Sequence, residues 1–258
     1  IGVPKSLRKT CFPFNYGSYK EFDKVLSEQK IGIIMMEVSR NKNPDIKFLN
    51  YVRKKSKKMG IVLIFDECTS GFRETFGGIY KKFKIEPDML VLGKALGNGY
   101  PINAVLGKKE VMSHAKNTFI SSTFWTERLG PVAALKTLEL MEKIKSWKII
   151  TDHGKYLNKQ WVKISKENKL QIEINGLPSI SKFIIKSNNA QAYKTYISQE
   201  MLKRGFLASN SVYMSVCHKK NVLDRYLDHL NSIFKTIREC ENDQKDILRL
   251  LDTPVSKK

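Results

Sequence analysis

The sequence predicts an α/β protein, with a mostly parallel sheet in its first half and a smaller α+β unit after it. Two observations carry this. Unbroken apolar runs, IGIIMM at residues 31–36, IVLIF at 61–65 and MLVL at 89–92, are separated by helical or turn-rich sequence, as expected of parallel strands buried on both faces. Beyond about residue 147 the pattern changes to long amphipathic helices around two short strands. Residues 1–146 are therefore expected to form part of a large domain, and 147–258 a small C-terminal one.

The first run ends at Glu37, and Ile46, Leu49 and Val52 then mark one face of a helix. The second run ends at Asp66 and the third at Gly93-Lys94. Right-handed crossovers place the ends of such strands along one sheet edge. The turn GNGYP at 97–101 leads straight into a strand at Ala104–Leu106; so short a connection predicts an antiparallel neighbour. Pro131 opens a helix whose Leu135, Leu138, Met141 and Ile144 are spaced to face the core. A charged helix at about 152–167 follows, then the strands QIEI and SKFII, then a helix over Ala190–Lys203 stopped by Gly205. The last helix carries an apolar stripe from Val222 to Ile237, and the tail DTPVSKK is expected to fray.

The chain has 46 Lys and Arg against 25 Asp and Glu, a net charge of +21. That charge alone fits a polyanion binder. The cations are scattered in short runs, such as Lys54, Lys55, Lys57 and Lys58, with no nucleic-acid motif beside them, so solvated faces account for them. A small-molecule partner is expected, and neither nucleic acid nor membrane. No apolar run is long enough to span a bilayer. The four cysteines form neither CxxC pairs nor zinc spacing with histidine, which predicts reduced thiols, no metal and a cytoplasmic location. The chain opens on Ile1 without a signal-peptide pattern, and it is expected to begin partway through a longer protein.

Asp66 and Lys94 are the candidates to carry chemistry. Ligands of open α/β sheets bind beyond the carboxyl ends of the strands, and two buried strands would deliver a carboxylate and an ammonium there. A Walker loop is excluded, because Met89 stands where its glycine belongs and Ala95 where it needs Ser or Thr. Gly97, Gly99 and Tyr100 do not make a dinucleotide fingerprint either. A plain Asp66–Lys94 ion pair remains open on spacing alone.

The segments DECTSGFR, EPDMLVLGKALGNGYP and SSTFWTER, in that order, closely resemble the class III aminotransferases, with glutamate-1-semialdehyde aminomutase-like members nearest. The resemblance runs from GVPKSLRKT to MSVCH. It implies a pyridoxal 5'-phosphate (PLP) enzyme of fold type I that transfers an amino group. It implies that Lys94 forms the Schiff base with PLP and that Asp66 pairs with the pyridinium nitrogen, keeping the ring an electron sink. Cys68 then lies against the ring, where the family usually has Val. Thr123, with Ser122 beside it, reaches the PLP phosphate across a homodimer interface. Glu37, Arg40 and Glu127 face the substrate, and Arg73 pairs with a carboxylate nearby. The family's Gly-Thr-Glu-Ala phosphate loop does not occur before Asp66. A transaminase of amino sugars or small amines, an inactive truncated fragment and a basic polyanion-binding protein are the alternatives.

Overall fold

The computed structural model describes residues 4–39, 43–120 and 126–256. A four-stranded sheet occupies the first half in the order β1 (Ile33–Met36), β2 (Val62–Asp66), β3 (Met89–Leu92), β4 (Ala104–Gly107). The first three strands are parallel, and β4 is antiparallel to β3, with Leu92 opposite Ala104. In the second half β5 (Ile172–Asn175) and β6 (Lys182–Ile185) form an antiparallel pair.

Among the described residues eight α-helices accompany these strands: α1 (Tyr19–Glu28), α2 (Ile46–Lys58), α3 (Tyr80–Phe83), α4 (Lys109–Met112), α5 (Leu129–Ile144), α6 (Ser146–Glu167), α7 (Ala190–Lys203) and α8 (Lys220–Glu241). α2 starts where Asp45 Oδ1 accepts the Phe48 N–H at 3.0 Å, a side-chain N-cap. It buries Phe48, Leu49 and Val52 beside Phe22 of α1, whose ring meets that of Phe48 edge-on. α7 ends as expected: Gly205 has φ +78°, and its N–H bonds the Leu202 carbonyl. α5 and α6 are divided at Lys145, which is left-handed at φ 51°.

Two hydrophobic cores result. One joins the sheet to α1 and α2 and takes in Leu177 and Ile180 from the β5–β6 connection. The other packs α6, α7 and α8 on the hairpin around Trp161, Phe183 and Phe234. α6 crosses the turn at Pro178 so closely that a Cβ on Gly154 would lie 1.8 Å from the Pro178 carbonyl oxygen, so only glycine fits there.

Three expectations change. β1 is not buried on both faces: Ile34 and Met36 are buried, but Ile33 and Met35 are 60% and 56% exposed, because β1 is the sheet edge and no described element covers their face. In α5, Leu138 and Met141 pack on the core while Leu135 and Ile144 are 68% and 44% exposed. That helix is apolar nearly all round, so spacing alone could not select its inward face. The tail docks through Ser256: its N–H donates to Thr195 Oγ1 at 3.1 Å, and its carbonyl accepts from Gln191 Nε2 at 2.7 Å.

Asp88 ties the sheet together. It accepts from Arg53 on α2 at 2.7 Å, from Lys108 beyond β4 at 2.7 Å, and from the Leu63 N–H of β2 at 2.9 Å. Burial pushes its carboxyl up, but these donors outweigh it and hold the group at about 2. A carboxyl depressed in the folded state contributes stability above its unfolded value and loses it as pH falls through the folded one. Asp88→Asn should therefore destabilise the protein by about 2–3 kcal/mol at neutral pH. In urea melts that gap should shrink as pH falls from about 4 toward 2; a gap of the same size at both ends would refute the assignment.

Candidate active site

β2 and β3 end side by side, with Asp66 opposite Val91 and the Glu67 N–H bonded to the Val91 carbonyl at 2.9 Å. Asp66 closes β2, and Lys94 follows β3 after Gly93. Parallel pairing thus brings to one edge two residues 28 positions apart in sequence.

Lys94 does not pair with Asp66. Its Nζ donates to Thr69 Oγ1 at 2.7 Å, and among the described residues no carboxylate lies within ion-pair distance of it. One Asp66 oxygen accepts the Cys68 N–H at 3.0 Å, and among the described residues no cation pairs with this carboxylate. The backbone of Lys94 is left-handed at φ 44°, a conformation that costs a non-glycine residue about 1 kcal/mol or more. Gly93 before it has no room for a side chain: a Cβ would lie 2.2 Å from Asn103 Oδ1 and 2.7 Å from Cys68 Sγ. Cys68 is therefore packed against the β3 end, as a small apolar residue would be.

The loop between β2 and α3 is held by Glu67. Its side chain is fully buried and accepts the N–H groups of Ile79 and Tyr80 and the Ser70 hydroxyl, while its carbonyl accepts the Gly71 N–H. Burial pushes its carboxyl above the usual range, although these donors oppose the shift. Sequence reasoning missed both Glu67 and Thr69. Strand alternation held the clue for Glu67, since it shares the parity of the buried Leu63 and Phe65.

Lys94 lines a groove of about 610 Å³ between α5 and the 213–216 segment of the small half, together with Arg73, Tyr100, Met141 and Tyr213. Arg73 has no carboxylate partner among the described residues, contrary to expectation. Its Nε donates to the Thr69 carbonyl at 3.4 Å, and the guanidinium lies over the Tyr213 ring at 5.4 Å. Burial pulls its pKa below the usual arginine range, and Tyr213 opposes this.

The remaining candidates are more distant from Lys94 in role. Glu37 lines a separate cavity of about 530 Å³ with Tyr16 and Met36. Glu127 accepts the N–H groups of Leu129 and Gly130 at the start of α5, which occupies its carboxylate as a helix cap. Arg40, Ser122 and Thr123 lie outside the described residues. Among the described residues no cluster could hold a metal ion, and no helix is long and apolar enough to cross a membrane.

An open, mostly parallel sheet that presents a lysine and an aspartate at adjacent strand ends defines the molecule as an α/β protein. The family model for Aminotransferase class-III matches residues 41–234, and the chain belongs to that family. It is 29% identical over 257 residues to 3-aminobutyryl-CoA aminotransferase of Cloacimonas acidaminovorans, a match covering 96% of this chain and 61% of that protein. It is 30% identical over 259 residues to glutamate-1-semialdehyde 2,1-aminomutase of Aeropyrum pernix, covering 92% and 60%. The chain thus spans about 60% of the length of these curated relatives. The fold is shared with the PLP internal aldimine form of the FumI protein of Sphingopyxis sp. MTA144, with a TM-score of 0.79 at 20% identity over 89% of this chain and 58% of that one.

Glu67→Gln should destabilise the protein by about 1–3 kcal/mol, since an amide NH₂ would face the backbone donors. Hydrogen exchange at Ile79 and Tyr80 should quicken accordingly; exchange as slow as in the wild type would show that the loop is held by other contacts.

Proposed function

We propose that this chain carries the lysine and aspartate of a PLP-dependent enzyme of amino-group transfer, either an aminotransferase or an enzyme like glutamate-1-semialdehyde aminomutase. The observation that carries this is the placing of Lys94 and Asp66 at adjacent strand ends without an ion pair between them. A half-buried carboxylate without a cationic partner among the described residues fits a ligand that brings its own positive nitrogen.

PLP, when bound, supplies an electron sink for the substrate carbon. Lys94 is the residue for its carbonyl carbon. The ammonium donates to the Thr69 hydroxyl, and that hydroxyl keeps Nζ oriented when the lysine gives up its proton. Lys94 then serves as the base that moves a proton at the substrate carbon. Asp66 keeps one oxygen on the Cys68 N–H and offers the other to the pyridinium N–H. Cys68, wedged against Gly93, bounds the ring face. Left-handed Lys94 is the type of strained residue that surrounding structure holds at reactive sites. The relatives, an aminotransferase and an aminomutase, support a small amine or amino-acid substrate, and Thr123 is proposed to meet the cofactor phosphate in a homodimer of the whole protein.

Borohydride reduction of PLP-treated protein followed by peptide mapping should place the adduct on Lys94. Asp66→Asn should weaken PLP retention by about 1.5–3 kcal/mol, the worth of one charge-assisted hydrogen bond. An adduct on another lysine, or equal retention by Asp66→Asn, would refute the respective role.

A further inference from the structure

The small half has an open sheet edge. Residues 209–214 run along β6 on the side away from β5, with Lys182 bridged to Ser211. The Phe183 N–H donates to the Asn210 carbonyl at 2.9 Å, the Val212 N–H to the Ser181 carbonyl at 2.9 Å and the Met214 N–H to the Ser179 carbonyl at 2.8 Å. Within this segment only Asn210, Val212 and Met214 pair with β6. The N–H and carbonyl groups of Ser209, Ser211 and Tyr213 therefore point away from the sheet, and among the described residues no backbone hydrogen bond joins them to another element. Ser211 and Tyr213 are exposed. Such a row of donors and acceptors is a template for a further strand, which proteins usually block with proline, charge or a covering element. Here serine and tyrosine stand at the outward positions, whereas the opposite edge, β5, carries the charged Glu173.

Two concavities meet at this edge, and Ser209 and Ser211 line both. The larger, about 670 Å³, is walled by α7 and by Asp252 and Thr253, and it presents Leu202 and Leu207. Those leucines are 63% and 97% exposed. The smaller, about 390 Å³, presents Lys182 and is lined by no carboxylate among the described residues. Lys182 alternates along β6 with the buried Phe183 and Ile185, which pack against the helices, so it stands on the face away from them. The leucines and Lys182 thus flank the edge from opposite faces. A strand added here would send successive side chains alternately to each.

We propose that the Ser209–Tyr213 edge is a docking site for an extended segment of a partner protein in which acidic and apolar residues alternate. Backbone pairing at Ser209 and Ser211 provides affinity. The flanking walls select the pattern, acidic residues meeting Lys182 and apolar ones meeting Leu202 and Leu207. The site is short, because the Arg73 guanidinium lies over the Tyr213 ring at 5.4 Å and closes that end.

The test is fluorescence anisotropy of a labelled peptide of alternating Glu and Val, titrated with the whole chain at constant ionic strength. Saturable binding is expected. The same peptide N-methylated throughout, which leaves it no amide donor, should not bind. A peptide with its Glu and Val in separate blocks should bind at least roughly tenfold more weakly. Ser211→Pro removes one outward N–H, a change that edge strands accommodate, and should weaken binding roughly fivefold, the worth of one hydrogen bond. Lys182→Glu should weaken it at least roughly tenfold. Lys58→Glu, an equal change of net charge on α2 in the other half, should leave it unchanged. No saturable binding of the alternating peptide overturns the site, and equal binding of the N-methylated or block peptide overturns strand pairing. These peptide comparisons decide the matter even where Ser211→Pro fails to fold. Self-association of the chain that Ser211→Pro abolishes would make a second copy the occupant and overturn the partner.

Discussion

The pairing of β2 with β3 is the constraint on which the rest depends. It runs for three residue pairs, from Ile64 opposite Met89 to Asp66 opposite Val91. So short a ladder supplies few hydrogen bonds, and a slip of one residue would reverse every side chain between faces. A carboxylate pins each end. Asp88 fixes the entry by accepting the Leu63 N–H while holding Arg53 and Lys108. Glu67 fixes the exit: its own N–H bonds Val91, and its side chain gathers the loop that follows. Asp66 and Lys94 stand where they do because both clamps agree on one register.

Those clamps also explain what was legible beforehand. Apolar runs ending in Asp66 and in Gly93-Lys94 already implied two strands delivering charge to one edge, and Gly205 after a periodic stretch marked the end of α7 within the sequence itself. Such signals are local: a run, a stop, a cap. What escaped notice depends on partners distant in sequence or on shape. Glu67 sits beside Asp66, yet its role appears only once Ile79 and Tyr80 return to it. Thr69 gains meaning only from Lys94, 25 residues on. The inward face of α5 could not be chosen because leucine and valine surround it. The exposed face of β1 depends on which strand ends the sheet, a matter of topology that no six-residue window contains.

Acidic residues are scarce in this chain, 25 against 46 cations, and three of them stand at joints. Asp88 links sheet to helix, Glu67 shapes the site loop, and Glu127 caps α5. With the acids placed there, the cations near Lys94 are left to hydroxyls, carbonyls and rings: Lys94 to Thr69, Arg73 to the Thr69 carbonyl and Tyr213. A site walled in this way is cationic, and such a wall favours anionic ligands over neutral ones before any specific contact forms.

The cationic wall belongs to both halves of the molecule, so its shape depends on how they are joined. Arg73 comes from the sheet half and Tyr213 from the small half, and the Thr151 hydroxyl of α6 donates to the Arg73 carbonyl at 3.3 Å. Nearby, Phe76 and Trp147 place their rings 5.5 Å apart. Leu177 and Ile180 extend the small half into the core of the sheet. These contacts lie within a few residues of Arg73 and of the turn that Gly154 admits. A side chain at Gly154 would lift α6 from that turn, and with α6 would go Thr151, its hold on Arg73, and the arrangement of Thr69 and Lys94 beyond it. The surroundings of Lys94 therefore depend on a backbone contact in the other half of the chain, made possible by the absence of a Cβ.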